Sequence, residues 1–234
     1  MQAVILAGGK GRRLLPYTTV LPKPLMPIGD IPILEVIIRQ LVKYGFDDII
    51  ISTGYLHELI VAYMSNRRDI SPFIRFSHEN RPLGTIGPLH LIKDLEKTFL
   101  VMNGDILTDL NYSEMLSYHQ SKKSLITVST FKREVNIDFG VLQSDDQDRV
   151  VNFQEKPRLY YEVSMGIYFL NRTILTYVPK EKAYGFDQLM YDLISHGESV
   201  FSYPFTGYWL DIGRPDDYQK AIEEFEDQKT RFCP

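Results

Sequence analysis

Short apolar runs alternate with amphipathic segments through the first half of the chain, and this alternation limits its possible folds more than any other feature. The runs at residues 3–7, 48–53 and 98–102 are bounded by turn residues and carry almost no polar side chains in their middles. Runs of that length and character are typical of strands buried on both faces of a parallel sheet. Residues 31–44 have apolar side chains at helical spacing and stop at Gly45, a residue that suits a helix C-terminus.

The order of these segments predicts a doubly wound, Rossmann-like α/β fold around a mixed, mainly parallel sheet, because parallel strands need crossover helices. Further helices are predicted at residues 56–66 and 86–95, and a further strand at residues 73–78. In such sheets, ligands bind beyond the carboxyl ends of the strands. Three polar clusters follow predicted strand ends, at residues 8–16, 78–85 and 103–105. We therefore expect these clusters to meet at one site.

The second half is predicted to add antiparallel strands to the sheet, because its strand-like segments lie close together with short turns between them. These segments are residues 125–131, 139–142, 150–155 and 162–170, and a last strand pair is expected near 199–203 and 208–210. Helices are predicted at residues 113–121, 186–195 and 215–225. Since no linker or repeat interrupts the pattern, we expect one domain over residues 1–234.

Composition excludes several classes of protein. The chain has 234 residues, and 30 acidic against 26 basic side chains give a net charge of -4, which does not favour nucleic acid or an anionic membrane as a partner. A single cysteine, Cys233, excludes an internal disulfide framework and a cysteine-based zinc site. No apolar run approaches the roughly 20 residues that span a bilayer, and residues 1–7 lack the basic segment of a secretory signal. We therefore expect a cytoplasmic protein.

A glycine-rich segment with basic side chains follows the first predicted strand. Its three glycines between residues 8 and 11 allow backbone N–H groups to approach an anion closely, since no Cβ obstructs them. Residues 1–29 contain no acidic side chain but hold the cations Lys10, Arg12, Arg13 and Lys23. The segment matches neither the Walker pattern nor the dinucleotide fingerprint, because Arg12 follows Gly11 and Leu14 replaces a glycine. It is either a polyphosphate cradle of another type or a strand-ending turn with solvated cations.

With the segment that follows, this loop resembles the signature of the sugar-1-phosphate nucleotidyltransferases, also called NDP-sugar pyrophosphorylases. The matching positions are Leu6-Ala-Gly-Gly-x-Gly-x-Arg13-Leu-x-Pro16-x-Thr18 and Pro22-Lys23-Pro24-Leu-x-Pro27. The resemblance extends from Gln2 to about Phe225 and is nearest the short, mannose-1-phosphate guanylyltransferase-like branch. It implies the nucleotide-diphospho-sugar transferase fold, with residues 1–122 mainly binding the NTP and residues 123–234 mainly binding the sugar phosphate. The implied reaction transfers a nucleoside monophosphate from an NTP to a sugar 1-phosphate and releases pyrophosphate.

By the same resemblance, the glycine loop and Lys23 hold the NTP. Arg13, Lys23 and Asp105 are implied as catalytic residues. Arg13 holds the phosphates and stabilises charge during transfer, Lys23 contacts the reacting phosphates, and Asp105 is a metal ligand. Arg12 departs from the family, which usually has a small residue there, and adds a positive charge beside the triphosphate. The implied nucleotide-binding residues are Leu6, Ala7, Gly8, Gly9, Gly11, Arg12, Arg13, Lys23, Glu79, Pro82, Gly84, Thr85 and Asp105.

The resemblance also implies a Mg²⁺ site made by two aspartates. Asp105 ends an Asn-Gly-Asp segment after an apolar strand, and Asp211 lies in Trp-Leu-Asp-Ile-Gly near the C-terminus. Their spacing alone proves no contact, since residues so far apart meet only through the fold. The family uses both motifs as metal ligands, and carboxylate oxygens suit Mg²⁺.

The prediction of the base rests on Glu79. A carboxylate only accepts hydrogen bonds, and guanine offers it two adjacent donors where uracil or thymine offers one. The family commonly has a Gln at this place, so Glu79 favours GTP over UTP or dTTP. The alternative is that backbone groups near Gly84 read the base while Glu79 points to solvent.

The acceptor side departs from the family at one position. Glu155-Lys156-Pro157 matches the family's Glu-Lys-Pro, in which the Lys pairs with the sugar phosphate. Ser164 stands where an Asn is common, so the contacts to sugar hydroxyls differ and neither glucose nor mannose can be assumed. The implied sugar-phosphate-binding residues are Gly140, Glu155, Lys156, Ser164, Gly166 and Trp209.

We therefore expect an enzyme with an NTP and a sugar 1-phosphate as partners and Mg²⁺ as cofactor, without nucleic acid or membrane, and either monomeric or homo-oligomeric. GTP with a mannose- or heptose-type sugar phosphate is favoured, for precursors of surface polysaccharides or glycoconjugates. Three alternatives stay open: a thymidylyl-, uridylyl- or cytidylyltransferase acting on glucose 1-phosphate, a glycosyltransferase, and a catalytically silent nucleotide-sugar-binding protein. None of the five histidines has a partner at a spacing that suggests zinc.

Overall fold

In residues 1–227 and 229–232, which the computed structural model describes, the centre of the molecule is a seven-stranded sheet. Cys233 lies outside the described residues. The strands are β1 (Gln2–Ala7), β2 (Pro27–Ile28), β3 (Ile31–Pro32), β4 (Asp48–Thr53), β5 (Ile74–His78), β6 (Thr98–Asn103), β7 (Ile106–Thr108), β8 (Ile126–Asn136), β9 (Val141–Ser144), β10 (Val150–Gln154), β11 (Arg158–Asn171), β12 (Val200–Phe205) and β13 (Trp209–Asp211). The helices are α1 (Ile33–Lys43), α2 (His57–Ser65), α3 (Tyr112–Ser121), α4 (Phe186–Ser195), α5 (Pro215–Asp227) and α6 (Lys229–Phe232). None of these helices is both long enough and apolar enough to cross a membrane.

The large sheet has the strand order β12-β8-β11-β6-β1-β4-β5. β1 pairs in parallel with β4 and β6, β4 pairs in parallel with β5, and β12 does so with β8. β11 alone runs antiparallel, between β6 and β8. Within the described residues, the remaining strands form the small sheets β10-β9, β13-β7 and β2-β3. The structure confirms the predicted mixed, mainly parallel α/β sheet.

Both faces of the large sheet are buried, which explains why its central strands carry so few polar side chains. Successive residues of a strand point to opposite faces. In β1, Ala3 and Ile5 belong to one apolar cluster and Val4 belongs to the other. Side chains of α1, α3 and α5 pack into the first cluster, and side chains of α4 pack into the second. Helices on both faces of a mainly parallel sheet make the doubly wound arrangement.

The end of α1 shows how local sequence sets an element boundary. Gly45 takes a left-handed φ of 82°, and its N–H donates to the carbonyl of Val42 at 2.9 Å. The N–H of Phe46 donates to the carbonyl of Leu41 at 3.0 Å. These two bonds form a Schellman motif, which favours glycine because a Cβ strains a left-handed backbone. The predicted helix end at Gly45 is confirmed.

The α-helix predicted over residues 86–95 is wrong, because a short 3-10 helix, Gly87–Leu91, occupies this place. The N–H groups of Ile86 and Gly87 donate to the carbonyl of Tyr184, at 3.0 and 3.1 Å, rather than into a longer helix. Pro88 offers no N–H, and the residue before a proline is biased away from helical geometry. A long-range partner therefore overrides the local helical spacing.

The last two strands exist, but the prediction that they pair with each other is wrong. β12 joins the large sheet in parallel beside β8, and β13 pairs antiparallel with β7. Side chains at the end of β7 support this second pairing. The hydroxyl of Thr108 donates to the carbonyl of Tyr208 at 2.8 Å. The carboxylate of Asp109 accepts the N–H of Tyr208 at 2.7 Å. This pairing brings Asp211 to the end of β6.

β8 and β11 are longer than predicted and project beyond the sheet as a ribbon. The ribbon pairs Lys132 with Glu162 at one end and Asn136 with Arg158 at the other, and most of its residues are exposed. The exposed hairpin β9-β10 lies between them in the chain. We call residues 132–162 the arm. Charged and apolar side chains are mixed there without a buried face, so periodicity does not mark the strand ends.

His119 on α3 gives the fold a dependence on pH. Its side chain is buried, with 3% exposure, and its Nδ1 lies 2.9 Å from the hydroxyl of Thr127 on β8. Burial lowers the pKa of His119 from 6.5 to about 4, because the imidazolium loses its hydration. The unfolded chain therefore binds a proton in a pH range where the folded chain does not. Stability is fully present above pH 6.5 and falls as the pH drops towards 4.

We expect His119→Gln to remove this dependence, worth about 3 kcal/mol at most over the full window. Glutamine keeps a polar group towards Thr127 but does not titrate. The measurement is the free energy of unfolding by urea at a series of pH values, compared with the wild type. His196→Gln, at an exposed position, is the matched control and should follow the wild type. A His119→Gln profile parallel to that of the wild type would contradict the assignment.

Candidate active site

A cleft of about 1060 Å³ opens at the carboxyl ends of the neighbouring strands β6, β1, β4 and β5. Its lining includes residues 6–13 at the end of β1, residues 103–105 at the end of β6, and most of residues 78–85 at the end of β5. The three polar clusters that we expected to meet are therefore brought together. Every residue predicted to bind nucleotide lines this cleft, whereas none of the predicted sugar-phosphate-binding residues does. Contact of these residues with substrates stays a prediction.

Sequence reasoning missed a fourth part of the cleft, Gly54 and Tyr55 after β4. The N–H of Tyr55 donates to the carbonyl of Gly8 at 3.2 Å, and its hydroxyl donates to the carbonyl of Thr19 at 3.0 Å. Tyr55 thus holds the glycine loop against the end of β4. A glycine directly after a buried strand is the same signal that marks Gly8, but nothing in the sequence marks the tyrosine.

Gly11 closes the glycine loop tightly. It has a left-handed φ of 59°, and a Cβ there would lie 2.9 Å from Thr18 Cγ2 and 3.2 Å from Lys23 Cβ. The hydroxyl of Thr18 donates to the carbonyl of Gly11 at 2.9 Å. Only glycine suits this conformation and this space. Arg12 and Arg13 follow in an exposed turn and line the cleft.

Lys23 and Asp105 form an ion pair in the cleft. Their side chains are only 13% and 15% exposed, so water screens their attraction less than on an open surface. Pro22 precedes the short turn that carries Lys23 and limits its backbone freedom. The N–H of Gly104 donates to the carbonyl of Leu6 at 3.0 Å, which ties the turn carrying Asp105 to β1. Backbone restraints therefore fix the positions from which the side chains of Lys23 and Asp105 extend.

The β7-β13 pair places Asp211 beside Asp105. Asp211 lies opposite Ile106 in this pair, and the N–H of Ile212 donates to the backbone carbonyl of Asp105 at 3.0 Å. Burial raises the pKa of Asp211, and the charge of Asp105 raises it further, whereas the cations Lys23 and Arg13 oppose the shift. Two carboxylates and two cations thus meet at the cleft, although Asp211 does not line it.

The two aspartates fit a Mg²⁺ ion that also binds substrate. Oδ1 of Asp105 and Oδ1 of Asp211 are buried and have no hydrogen-bond partner among the described residues, and such unpaired oxygens cost free energy unless a ligand satisfies them. No group of three or more His, Cys, Asp or Glu residues that could hold a metal occurs within residues 1–227 and 229–232. Mg²⁺ commonly takes one or two carboxylates and completes its shell with water and substrate phosphates. The donor set suits that pattern.

Glu79 is half-buried in the wall of the cleft. Its Oε2 accepts the N–H of Leu83 at 3.0 Å. Its Oε1 would lie 2.7 Å from a Cβ on Gly8 and 3.0 Å from a Cβ on Gly54, so both glycines make room for the carboxylate. Burial raises the pKa of Glu79. One carboxylate oxygen is therefore engaged by the loop itself, which sequence reasoning did not foresee.

Gly84 and Thr85 are fixed by a segment that lies a hundred residues further along the chain. Gly84 has a φ of 80°, and a Cβ there would lie 2.6 Å from the carbonyl oxygen of Tyr184. The hydroxyl of Thr85 accepts the N–H of Phe186 at 2.7 Å. This hydroxyl therefore satisfies the first N–H of α4.

Three of the predicted acceptor residues lie together next to the cleft. Gly166 has a φ of 76°, and a Cβ there would lie 2.6 Å from Nδ2 of Asn103, which lines the cleft. The hydroxyl of Ser164 accepts the N–H of Gly166 at 3.2 Å. The indole N–H of Trp209 donates to the carbonyl of Met165 at 3.1 Å. We call this cluster, in which Gly166 contacts Asn103 and Ser164 is exposed, the neighbourhood of Asn103.

The other three predicted acceptor residues lie on the arm. A Cβ on Gly140 would lie 2.6 Å from the ring of Phe153 and 3.2 Å from Oε2 of Glu155, so Gly140 and Glu155 are in contact. Glu155 and Lys156 are exposed, and Lys156 has a left-handed φ of 44°. The structure therefore divides the six residues between two places, the neighbourhood of Asn103 and the arm.

Comparison with known proteins agrees with this geometry. A model of the family described as nucleotidyl transferase matches residues 2–228. The chain is 34% identical to the D-glycero-alpha-D-manno-heptose 1-phosphate guanylyltransferase of Aneurinibacillus thermoaerophilus, over 97% of this chain and 99% of that protein. It is 31% identical to a UTP–glucose-1-phosphate uridylyltransferase of Synechocystis sp., over 95% of this chain but 62% of that protein. For a probable mannose-1-phosphate guanylyltransferase of Oryza sativa, the identity is 29%, over 100% of this chain and 67% of that protein.

The fold is also that of a solved structure, HddC from Yersinia pseudotuberculosis, with a TM-score of 0.75 and 27% identity over 96% of this chain and 99% of that one. The same protein complexed with GMP-PN gives a TM-score of 0.74 and 28% identity over the same shares. These matches confirm the fold and the family indicated by the motifs. The chain belongs to the nucleotidyl transferase family, among the sugar-1-phosphate nucleotidyltransferases.

Proposed function

We propose that this chain transfers a nucleoside monophosphate from an NTP to a sugar 1-phosphate and releases pyrophosphate. The observation that supports the proposal is that Asp105, Asp211 and Lys23 lie close together at the cleft that the glycine loop lines. Each aspartate there has one buried oxygen without a hydrogen-bond partner. Such a site can hold a triphosphate and a divalent cation together. The curated relatives named above are transferases of this kind.

The reaction requires positioning of the substrates and neutralisation of phosphate charge rather than a strong base. The attacking oxygen belongs to a phosphate that is already ionised, so displacement at the α-phosphorus proceeds once the two phosphates are held in line. Arg13 and Lys23 neutralise the NTP phosphates, and backbone N–H groups of the glycine loop support them. A Mg²⁺ ion held by Asp105 and Asp211 would supply further charge stabilisation to the phosphates when bound.

We propose GTP and a mannose- or heptose-type sugar phosphate as the substrates. Glu79 supports GTP because its carboxylate lies in the cleft wall as an acceptor. Relatives named for mannose 1-phosphate and for a heptose 1-phosphate are guanylyltransferases, and a related structure was solved with GMP-PN. On the acceptor side, Lys156 would pair with the sugar phosphate and Glu155 with a sugar hydroxyl.

Further assignments belong to the same proposal. The NTP would bind mainly to residues 1–122 and the sugar phosphate mainly to residues 123–234. The product would serve as a precursor of polysaccharide or glycoconjugate in the cytoplasm. An assembly of identical subunits stays a prediction.

The deciding experiment is a matrix of NTPs against sugar 1-phosphates, with pyrophosphate release as the measurement. Release that needs both substrates supports the proposed reaction, and the pair with the highest kcat/KM identifies the substrates. A glycosyltransferase would release no pyrophosphate from an NTP. A silent binding protein would bind nucleotide sugar, as calorimetry would show, without turnover.

We expect Asp105→Asn and Asp211→Asn each to cost over about 3 kcal/mol of transition-state stabilisation, because each amide removes a preorganised negative charge. The measurement is kcat/KM for pyrophosphate release across a Mg²⁺ titration. Asp211→Asn should not lower the Tm, since it removes a buried charge that Asp105 repels. Asp146→Asn, at an exposed turn, is the control. Near-normal activity of both variants at limiting Mg²⁺ would overturn the metal assignment.

Lys23 and Lys156 should separate kinetically, because one lies in the cleft and the other on the arm. We expect Lys156→Ala to raise KM for the sugar phosphate about 10-fold with little change in KM for the NTP, and Lys23→Ala to lower kcat by at least as much. Initial rates with each substrate varied in turn give both constants. Lys180→Ala, also exposed, controls for general loss of surface charge. Equal effects of the two variants on both substrates would contradict the assignment.

Glu79→Gln tests which nucleotide base the protein prefers. The glutamine carbonyl can still accept the N–H of Leu83, so the loop is preserved while the second acceptor is lost. We expect the wild type to prefer GTP and the variant to lose about 10-fold or more of that preference against UTP or dTTP. Because burial raises the pKa of Glu79, the preference should also weaken as the pH falls through that pKa. A pyrimidine nucleotide ranked first by the wild type would refute GTP, and an unchanged ranking in Glu79→Gln would remove Glu79 from base recognition.

A further inference from the structure

A stacked pair of aromatic rings joins the two sides of the site. Tyr168 on β11 and Phe186 at the start of α4 have ring centroids 4.0 Å apart and an angle of 23° between their planes. Tyr168 is buried and Phe186 is half-buried. Stacking of aromatic rings adds attraction between them beyond what burial alone provides. No role in the proposed reaction has yet been given to either ring.

On one side, the stack is tied to the acceptor residues. The hydroxyl of Tyr168 lies 3.2 Å from that of Ser164, and they share a hydrogen bond. The hydroxyl of Ser164 also accepts the N–H of Gly166. Between Ser164 and Tyr168 the register of β11 against β8 shifts, so a bulge holds these residues in place. A change at Ser164 therefore alters a hydrogen bond of Tyr168 directly.

On the other side, the stack is tied to the nucleotide side. The N–H of Phe186 donates to the hydroxyl of Thr85 at 2.7 Å. The neighbouring Tyr184 donates its N–H to the carbonyl of Leu83 at 2.8 Å, and its backbone leaves no room for a Cβ on Gly84. The turn at residues 83–85 thus rests on the residues next to Phe186. A shift of Phe186 would therefore also shift the backbone groups that hold this turn.

We propose that Phe186, held by Tyr168, is a positioning residue that sets the Gly84–Thr85 turn for the nucleotide and transmits the state of Ser164 to it. The assignment of Ser164 to the acceptor and of Gly84 and Thr85 to the NTP rests on the proposed function. Neither ring of the stack lines the cleft. The stack acts by fixing the backbone from which Thr85 and Gly84 face the cleft, so its loss should appear in nucleotide affinity.

The test measures the Kd of the fluorescent nucleotide mant-GTP by titration of the full chain, without turnover. We expect Phe186→Leu, which keeps the backbone N–H and an apolar side chain, to weaken binding about 5- to 10-fold. Phe186→Tyr keeps the ring and should restore nearly normal affinity. Tyr191→Leu removes a ring from the same helix at a position that is 74% exposed, and it should leave the Kd unchanged. Equal weakening by Tyr191→Leu would show a general effect on α4 and overturn the proposal.

A double-mutant cycle tests transmission from the acceptor side. Ser164→Ala should weaken mant-GTP binding about 3-fold in the wild type but not in the Phe186→Leu background, since both act through one stack. Equal effects of Ser164→Ala in both backgrounds would overturn the coupling. Wild-type protein that binds mant-GTP but releases no pyrophosphate would refute the proposed function while leaving this inference standing. Wild-type protein that binds no mant-GTP would refute both.

Discussion

The backbone pairing of β7 with β13 is the interaction on which the candidate active site depends. It holds Asp211 next to Asp105 through main-chain hydrogen bonds, so neither side chain can relieve their repulsion by moving its strand. Like charges in a poorly hydrated place disfavour ionisation, and the raised pKa of Asp211 reports that cost. Lys23 offsets part of it through its ion pair with Asp105. An arrangement that is unfavourable for folding and favourable for a cation is expected where function, rather than stability, determines the side chains.

The part of the cleft that we assign to the nucleotide could be located from sequence because its segments are each contiguous and share one edge of the sheet. Each polar cluster directly follows an apolar run, and parallel strands bring their carboxyl ends together. The periodicity therefore predicted that the clusters at residues 8–16, 78–85 and 103–105 meet at one site, and most of their residues line the cleft. Asp211 could not be placed this way. Its partner strand β7 has three residues, and no spacing links it to a strand so much later in the chain, so only the resemblance to a family paired the two aspartates.

The wrong helix over residues 86–95 and the wrong pairing of the last two strands have a common cause, which is competition from distant backbone. The helix expected over residues 86–95 is lost because the carbonyl of Tyr184 takes the N–H groups of Ile86 and Gly87. The hydroxyl of Thr85 likewise accepts the N–H of Phe186, a residue far along the chain. Local spacing describes what a segment can do alone, and these partners lie about a hundred residues away. The arm was underestimated because its strands lack a buried face, so burial leaves no periodic trace in its sequence.

The layout of charge explains how one cleft can serve a triphosphate together with a metal ion. The first strand and loop provide cations and no acid up to residue 29, whereas the acids Asp105 and Asp211 come from the ends of β6 and β13. Lys23 belongs to the basic segment at residues 1–29 but pairs with Asp105, so it joins the positive side chains of the cleft to the negative ones. A ligand that brings phosphates to the cations and a divalent cation to the acids would leave each buried charge with a partner of opposite sign. A ligand with phosphates alone would satisfy Arg13 and Lys23 but leave the aspartates repelling each other. That repulsion, after burial, raises the pKa of Asp211. The charges of the chain alone therefore favour the metal-bound triphosphate that we propose as its ligand.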